Sequence, residues 1–213
     1  MAMFPLSTVL MPHAPLALHV FEERYRALVA DCLADRTGFG VVLITRGSEV
    51  GGGDERVSIG TLARIDLAQP LPDGRWALVA RGTKRIRVES WLGEDPYPRA
   101  TVEVLDEPVP SPGAATLHEA QLAVVRARAL LSELGEDTGA AGTRVPTGPD
   151  ADDTLLGEDT DDASVWRICA QAPIPIADRQ LLLEAEDHTV RLELLRRLCG
   201  ELSDEIARFL GGN

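Results

Sequence analysis

Hydrophobic residues change period midway along this chain, and that change limits the folds open to it. From Val57 to Val104 they recur at every second position: Val57, Ile59, Thr61, Ala63, Ile65 and Leu67, then Trp76, Leu78 and Ala80, then Ile86 and Val88, then Ala100, Val102 and Val104. Such alternation belongs to half-buried β-strands. Beyond Pro108, Pro110 and Pro112 the spacing becomes helical. Leu117, Ala120, Val124, Ala127, Leu131 and Leu134 share one face until Gly135, and Leu195, Leu198, Cys199, Leu202, Ile206, Phe209 and Leu210 share another. Strands gathered in one half and helices in the other predict an α+β chain with a β-rich subdomain at 1–107 and a helical one at 113–213. With 213 residues, both halves can bury a core.

Local signals refine this division. Pro72-Asp73-Gly74 reads as a turn, and Gly82-Thr83 as the two-residue turn of a tight hairpin in which glycine supplies the positive φ. Thr116-Leu117-His118-Glu119 has the spacing of a capping box. A short helix around Val165, Trp166, Ile168 and Cys169 stops at Pro173 and Pro175, Asp178 is placed to cap the next helix, and a longer one runs from Thr189 to Leu210. Residues 136–162 carry Asp137, Asp150, Asp152, Asp153, Glu158, Asp159 and Asp161 among Gly, Pro and Thr, a composition that predicts an acidic mobile loop.

The amino terminus combines both periods. Phe4, Leu6, Val9 and Leu10 form an apolar run broken by Pro12 and Pro15, and Leu16, Leu18 and Val20 alternate as a second strand. Phe21, Tyr25, Leu28, Val29, Cys32 and Leu33 then fall on one helix face, with Phe21 expected between that helix and the strands. Gly38 is expected to end the turn, and residues 40–45 to form a buried strand.

The series Phe4-Pro5-Leu6, Val9-Leu10, Pro12, Leu16, Phe21-Glu22 and Arg24-Tyr25-Arg26 resembles the opening of the Lon protease amino-terminal, or Lon substrate-binding, domain. Phe39-Gly40-Val41, Gly47 with Glu49-Val50-Gly51, Gly60-Thr61, Asp73-Gly74-Arg75, Gly82 with Arg85, and Pro96-Tyr97 follow in the family's order. Asp178 to Glu184 and Arg191-Leu192 are similar to its helical part. The resemblance implies a PUA-like β barrel or pseudo-barrel carrying one helix, followed by a helical subdomain. It also implies a non-catalytic polypeptide-binding module, standing alone without ATPase or protease domains, that recognises unfolded or damaged protein and serves as an adaptor for proteolysis. The expected partners are unfolded polypeptide and a protease or chaperone, with homo-oligomerisation left open.

The residues themselves point the same way. A net charge of −13 opposes general affinity for nucleic acid or an anionic membrane. No leader or spanning segment is read, so the expected location is cytoplasmic. Cys32, Cys169 and Cys199 are far apart on apolar helical patterns, as buried thiols in a reducing compartment would be. No cofactor or metal is expected. The Gly47 to Gly53 loop lacks the Lys-Ser or Lys-Thr of a phosphate cradle, and the one lysine, Lys84, lies among Arg81, Arg85 and Arg87 on a strand. That basic edge reads as a solvated face, or as a holder of acidic segments.

His13, His19, His118 and His188 show no metal-ligand spacing. Ser7 near His13 is the one hint of a small peptide hydrolase, and no acid follows to complete a triad. An RNA-binding PUA-like module is the other rival, disfavoured by charge. Arg24 is expected to pair with an acid across the barrel. Met11, Trp91 and Tyr97 are the candidate polypeptide-contacting residues, read as either core or the lining of an exposed groove where the barrel meets the helical half.

Overall fold

The computed structural model describes residues 1–47, 55–106, 112–135 and 162–211. The chain divides into two compact units, Met1–Asp106 and Glu107–Asn213. The proline-rich boundary falls largely on 107–111, outside the described residues, as does the loop at 48–54. Of the acidic stretch expected to be mobile, 136–161 lie outside them too, and Asp162 opens a helix.

In the first unit, β1 (Met3–Leu6) and β2 (Pro15–Val20) precede helix α1 (Glu23–Asp35), and β3 (Phe39–Arg46) follows it. Then come β4 (Glu55–Arg56), β5 (Ile59–Pro70), β6 (Trp76–Trp91) and β7 (Ala100–Val104). β1 pairs parallel with β3, and β3 pairs antiparallel with both β4 and β5. β5 pairs antiparallel with β6, and β6 with β7. The ring closes where Ala2 bridges Arg99, the Ala100 N–H donates to the Met1 carbonyl (3.0 Å) and the Met3 N–H donates to that of Pro98 (2.9 Å). Closure removes the open edges of those strands.

β6 organises this unit. It is one continuous strand, and the hairpin expected at Gly82-Thr83 does not form. Its Trp76–Arg81 half pairs with β2, and its Ile86–Trp91 half with β7. Glycine is needed at 82 for a different reason: a Cβ there would stand 2.3 Å from the Met11 carbonyl oxygen. The Gly82 N–H donates to the Ala14 carbonyl and its carbonyl accepts from the His13 N–H, each at 2.9 Å, so the 11–14 turn sits directly on the strand. Gly82→Ala is expected to lower stability by about 1–3 kcal/mol, as overpacking does, measured by urea denaturation. Wild-type stability would mean that the turn can lift off freely.

α1 lays Tyr25, Leu28, Val29 and Cys32 into a core with Phe4, Leu6, Phe39, Val41, Leu78 and Ala80. The Phe4 and Tyr25 rings stack with centroids 4.0 Å apart. Phe21 does not join them: it precedes the N-cap residue Glu22 and is 58% exposed, while Leu33 is exposed at the other end of the face. The left-handed residue that ends α1 is Arg36 (φ 54), not Gly38. Gly38 instead allows close approach, since a Cβ would lie 2.2 Å from the Ala63 carbonyl oxygen.

The second unit contains α2 (Ala114–Glu133), α3 (Asp162–Gln171), α4 (Ile176–Glu184) and α5 (His188–Gly211). Leu117, Ala120, Val124 and Ala127 of α2 are buried, as are Leu192, Leu195, Cys199 and Ile206 of α5. Phe209 and Leu210, expected on the apolar face of α5, are exposed near its end. The capping signals sit inside their helices: Gly113 and Pro175 hold the N-cap positions, leaving Thr116 and Asp178 in first turns.

Candidate functional site

Two of the three candidate contact residues are in the interior. Met11 is 1% exposed, held in the turn that seats on Gly82, and the neighbouring Leu10 carbonyl accepts a hydrogen bond from Thr61 Oγ1 (2.6 Å). Tyr97 is 8% exposed and donates its hydroxyl to Asp31 Oδ2 (2.8 Å). Burial first, then that hydrogen bond to a carboxylate, pushes its phenol up to about 12. Both residues are therefore core, for a shared reason: each is close to a turn in sequence but is tied inward by a non-local contact.

Trp91 is the candidate at the surface, 37% exposed, at the end of β6 beside the exposed Leu92. The Arg56 guanidinium lies 4.3 Å from its ring centroid and also donates to Glu94 Oε1 (2.8 Å). Arg56, from β4, is only 6% exposed in its side chain. A buried cation thus holds one aromatic side chain in place, a geometry worth about 0.5–2 kcal/mol. Two apolar side chains on a rigid strand end can contact apolar groups of another chain.

The basic stretch of β6 is matched by the protein's own acids. Arg81 pairs with Asp66 (3.1 Å), Lys84 with Asp106 (3.2 Å) and Arg87 with Glu103 (2.7 Å), while Arg85 is buried. Arg24 donates to Glu22 Oε2 at 3.1 Å, and its guanidinium lies over the Tyr25 ring. His13 takes a left-handed conformation (φ 62), its N–H given to Gly82 and its carbonyl accepting from Arg81. All three cysteines are buried. Among the described residues, no group of three or more His, Cys, Asp or Glu side chains could hold a metal ion, and no helix is long and apolar enough to cross a membrane.

The helical unit holds a polar cluster that sequence reasoning missed. Arg191 is fully buried and donates to the Leu182 carbonyl (2.9 Å) and the Ala185 carbonyl (3.0 Å), where α4 ends. Its guanidinium lies 3.9 Å from the Trp166 ring centroid and contacts His188 Nδ1. His188 Nε2 in turn meets Asp162 Oδ1 at 2.6 Å. Because guanidinium can only donate, Nδ1 accepts and Nε2 carries the proton to Asp162. Burial pushes the Cys169 thiol up to about 12, against the pull of Arg191. Arg179 similarly donates to the Ala170, Ala172 and Ile174 carbonyls around the end of α3. The sequence did carry one signal: Arg191 is four residues from Leu195 and eight from Cys199, on the apolar stripe itself. These contacts close helix ends, so the cluster is structural.

A sequence model of the ATP-dependent protease La (LON) substrate-binding domain matches residues 1–199. Lon protease 2 of Herpetosiphon aurantiacus is 29% identical over 207 residues, covering 94% of this chain but 23% of that protein. The chain thus spans about a quarter of that relative's length. A crystal structure of a Lon N-terminal domain protein from Xanthomonas campestris has a TM-score of 0.58 at 28% identity, covering 91% of this chain and 95% of that one. The N-terminal domain of Mycobacterium avium complex Lon protease shares the fold, with a TM-score of 0.61 at 18% identity over 94% of this chain and 99% of its own. With its closed strand ring, single packed helix and separate helical unit, the chain belongs to the Lon substrate-binding domain family.

Proposed function

We propose that the protein is a non-catalytic, cytoplasmic polypeptide-binding module that recognises unfolded or damaged protein and presents it to a protease as an adaptor. The match to a substrate-binding family over residues 1–199 carries this reading. The exposed Trp91 and Leu92, the former steadied by Arg56, support it by offering apolar contact on a rigid strand end. Affinity is expected to be weak, because ordering a flexible client opposes much of the contact energy.

The test is fluorescence anisotropy with labelled unfolded peptides, natively folded protein and single-stranded RNA side by side. Unfolded peptides should bind, and Trp91→Ala should weaken them about fivefold, the effect of losing one aromatic contact. Binding to RNA alone, or equal binding to folded and unfolded protein, would overturn the proposal. No ATP hydrolysis or casein cleavage should follow the protein through purification, and turnover abolished by Ser7→Ala would count against a binding role.

A further inference from the structure

The strand ring leaves β2 and the two-residue β4 outside it, and β2 is the longer of the two. β2 pairs with the Trp76–Arg81 half of β6 and, among the described residues, with no other strand. Antiparallel ladders alternate between pairs that exchange hydrogen bonds and pairs that do not. The Gly82 N–H donates to Ala14, so the exchanging pairs are Leu16 with Ala80, Leu18 with Leu78 and Val20 with Trp76. Ala17 and His19 therefore turn their N–H and C=O groups to the open side of β2.

Side chains around this edge suit an extended apolar chain. On the outer face, Ala17 lies beside Val79, with the exposed Leu67 in the same row across β6, and His19 lies beside Ala77, with Gln69 beyond it. The exposed Phe21 follows directly after β2. Pro15 has no N–H, so a partner strand would register on Ala17 and His19. The chain's charge of −13 favours a client that carries basic rather than acidic residues.

We infer that β2 is where the main chain of a client is held: an extended, apolar and basic polypeptide segment adds as a strand to the open edge, hydrogen-bonding to Ala17 and His19. This rests on the polypeptide-binding reading and gives it a place and a mode. Edge pairing reads backbone, so it selects for segments free to extend and tolerates many sequences.

The experiment joins anisotropy to amide hydrogen exchange on the full chain, with a short proline-free peptide of apolar and lysine residues. Binding should slow exchange at Ala17 and His19 by about tenfold or more, with smaller changes at Leu16 and Leu18, whose amides already pair with β6. Ala17→Pro, which removes an edge N–H without touching the β6 ladder, should weaken the peptide about fivefold. Peptides N-methylated on alternate residues should bind in one phase and fail in the other, a readout independent of any variant's folding. Binding without protection at Ala17 and His19 would overturn the edge site and leave the polypeptide-binding reading standing. No binding of any unfolded peptide would overturn both. Protection that appears without peptide and grows with protein concentration would give the edge to a second copy, overturning the inference.

Discussion

Arg191→Ala should unfold the helical unit at temperatures where the wild type is intact, costing about 3–5 kcal/mol, the range for removing one partner from a buried charged network. The guanidinium lies wholly inside the helical unit. Its charge is met by the carbonyls of Leu182 and Ala185 at the negative end of α4, by the face of Trp166, and through His188 by Asp162. Truncation removes the donor shared by those acceptors and leaves a cavity under Trp166. Arg191→Lys should recover little, because a point charge cannot reach acceptors spread around a planar fork. Trp166 is the one tryptophan in this unit, so its fluorescence in a Trp76→Phe, Trp91→Phe background reports on it directly. A denaturation midpoint within about 0.5 kcal/mol of wild type would show that water replaces the guanidinium without penalty.

That cluster marks where the sequence stopped being legible in the helical unit. Helix faces follow from spacing alone, and Leu195, Cys199 and Ile206 are buried as their period requires. What spacing cannot give is the identity of the polar atoms an inward-facing arginine will meet. The Leu182 and Ala185 carbonyls become acceptors only once α4 ends beside α5, a tertiary event. The sequence shows Arg191 on the stripe but contains no local signal that the stripe can accept it.

In the strand unit, errors share a cause too. β3, β5, β6 and β7 were legible because alternation or continuous burial reports each strand's own faces. Gly82 was misread because a glycine required by a distant carbonyl looks the same in sequence as one required by a turn. Met11 and Tyr97 could be read only as core or groove for the same reason: each is beside a turn in sequence, and the contact that ties it inward, at Gly82 and Asp31 respectively, is distant. Trp91 needs no distant partner to reach the surface, because its strand simply ends there. The open side of β2 was beyond sequence altogether, since an edge exists only relative to the neighbours that the other strands choose.

A matched pair of substitutions tests the packing of α1. Leu28→Ala should destabilise the strand unit by about 2–5 kcal/mol, and Phe21→Ala by no more than about 0.5 kcal/mol, although phenylalanine is the larger side chain. Counted along a helical wheel, Phe21 is four residues before Tyr25 and belongs to its face. The helix, however, begins at Glu23, and the backbone of Glu22 is extended (φ −66, ψ 138), so the wheel does not reach back to Phe21. Leu28 lies wholly inside, in the cluster containing Phe4, Phe39 and Leu78, and its removal leaves a void that a close-packed strand ring cannot collapse to fill. Urea denaturation followed by Trp76 and Trp91 fluorescence, in a Trp166→Phe background, measures both variants on this unit alone. Equal losses would mean that Phe21 is buried in solution and the helix starts a turn earlier. If Phe21→Ala leaves stability unchanged but weakens unfolded-peptide binding, the exposed ring after β2 would be part of the surface that receives the client.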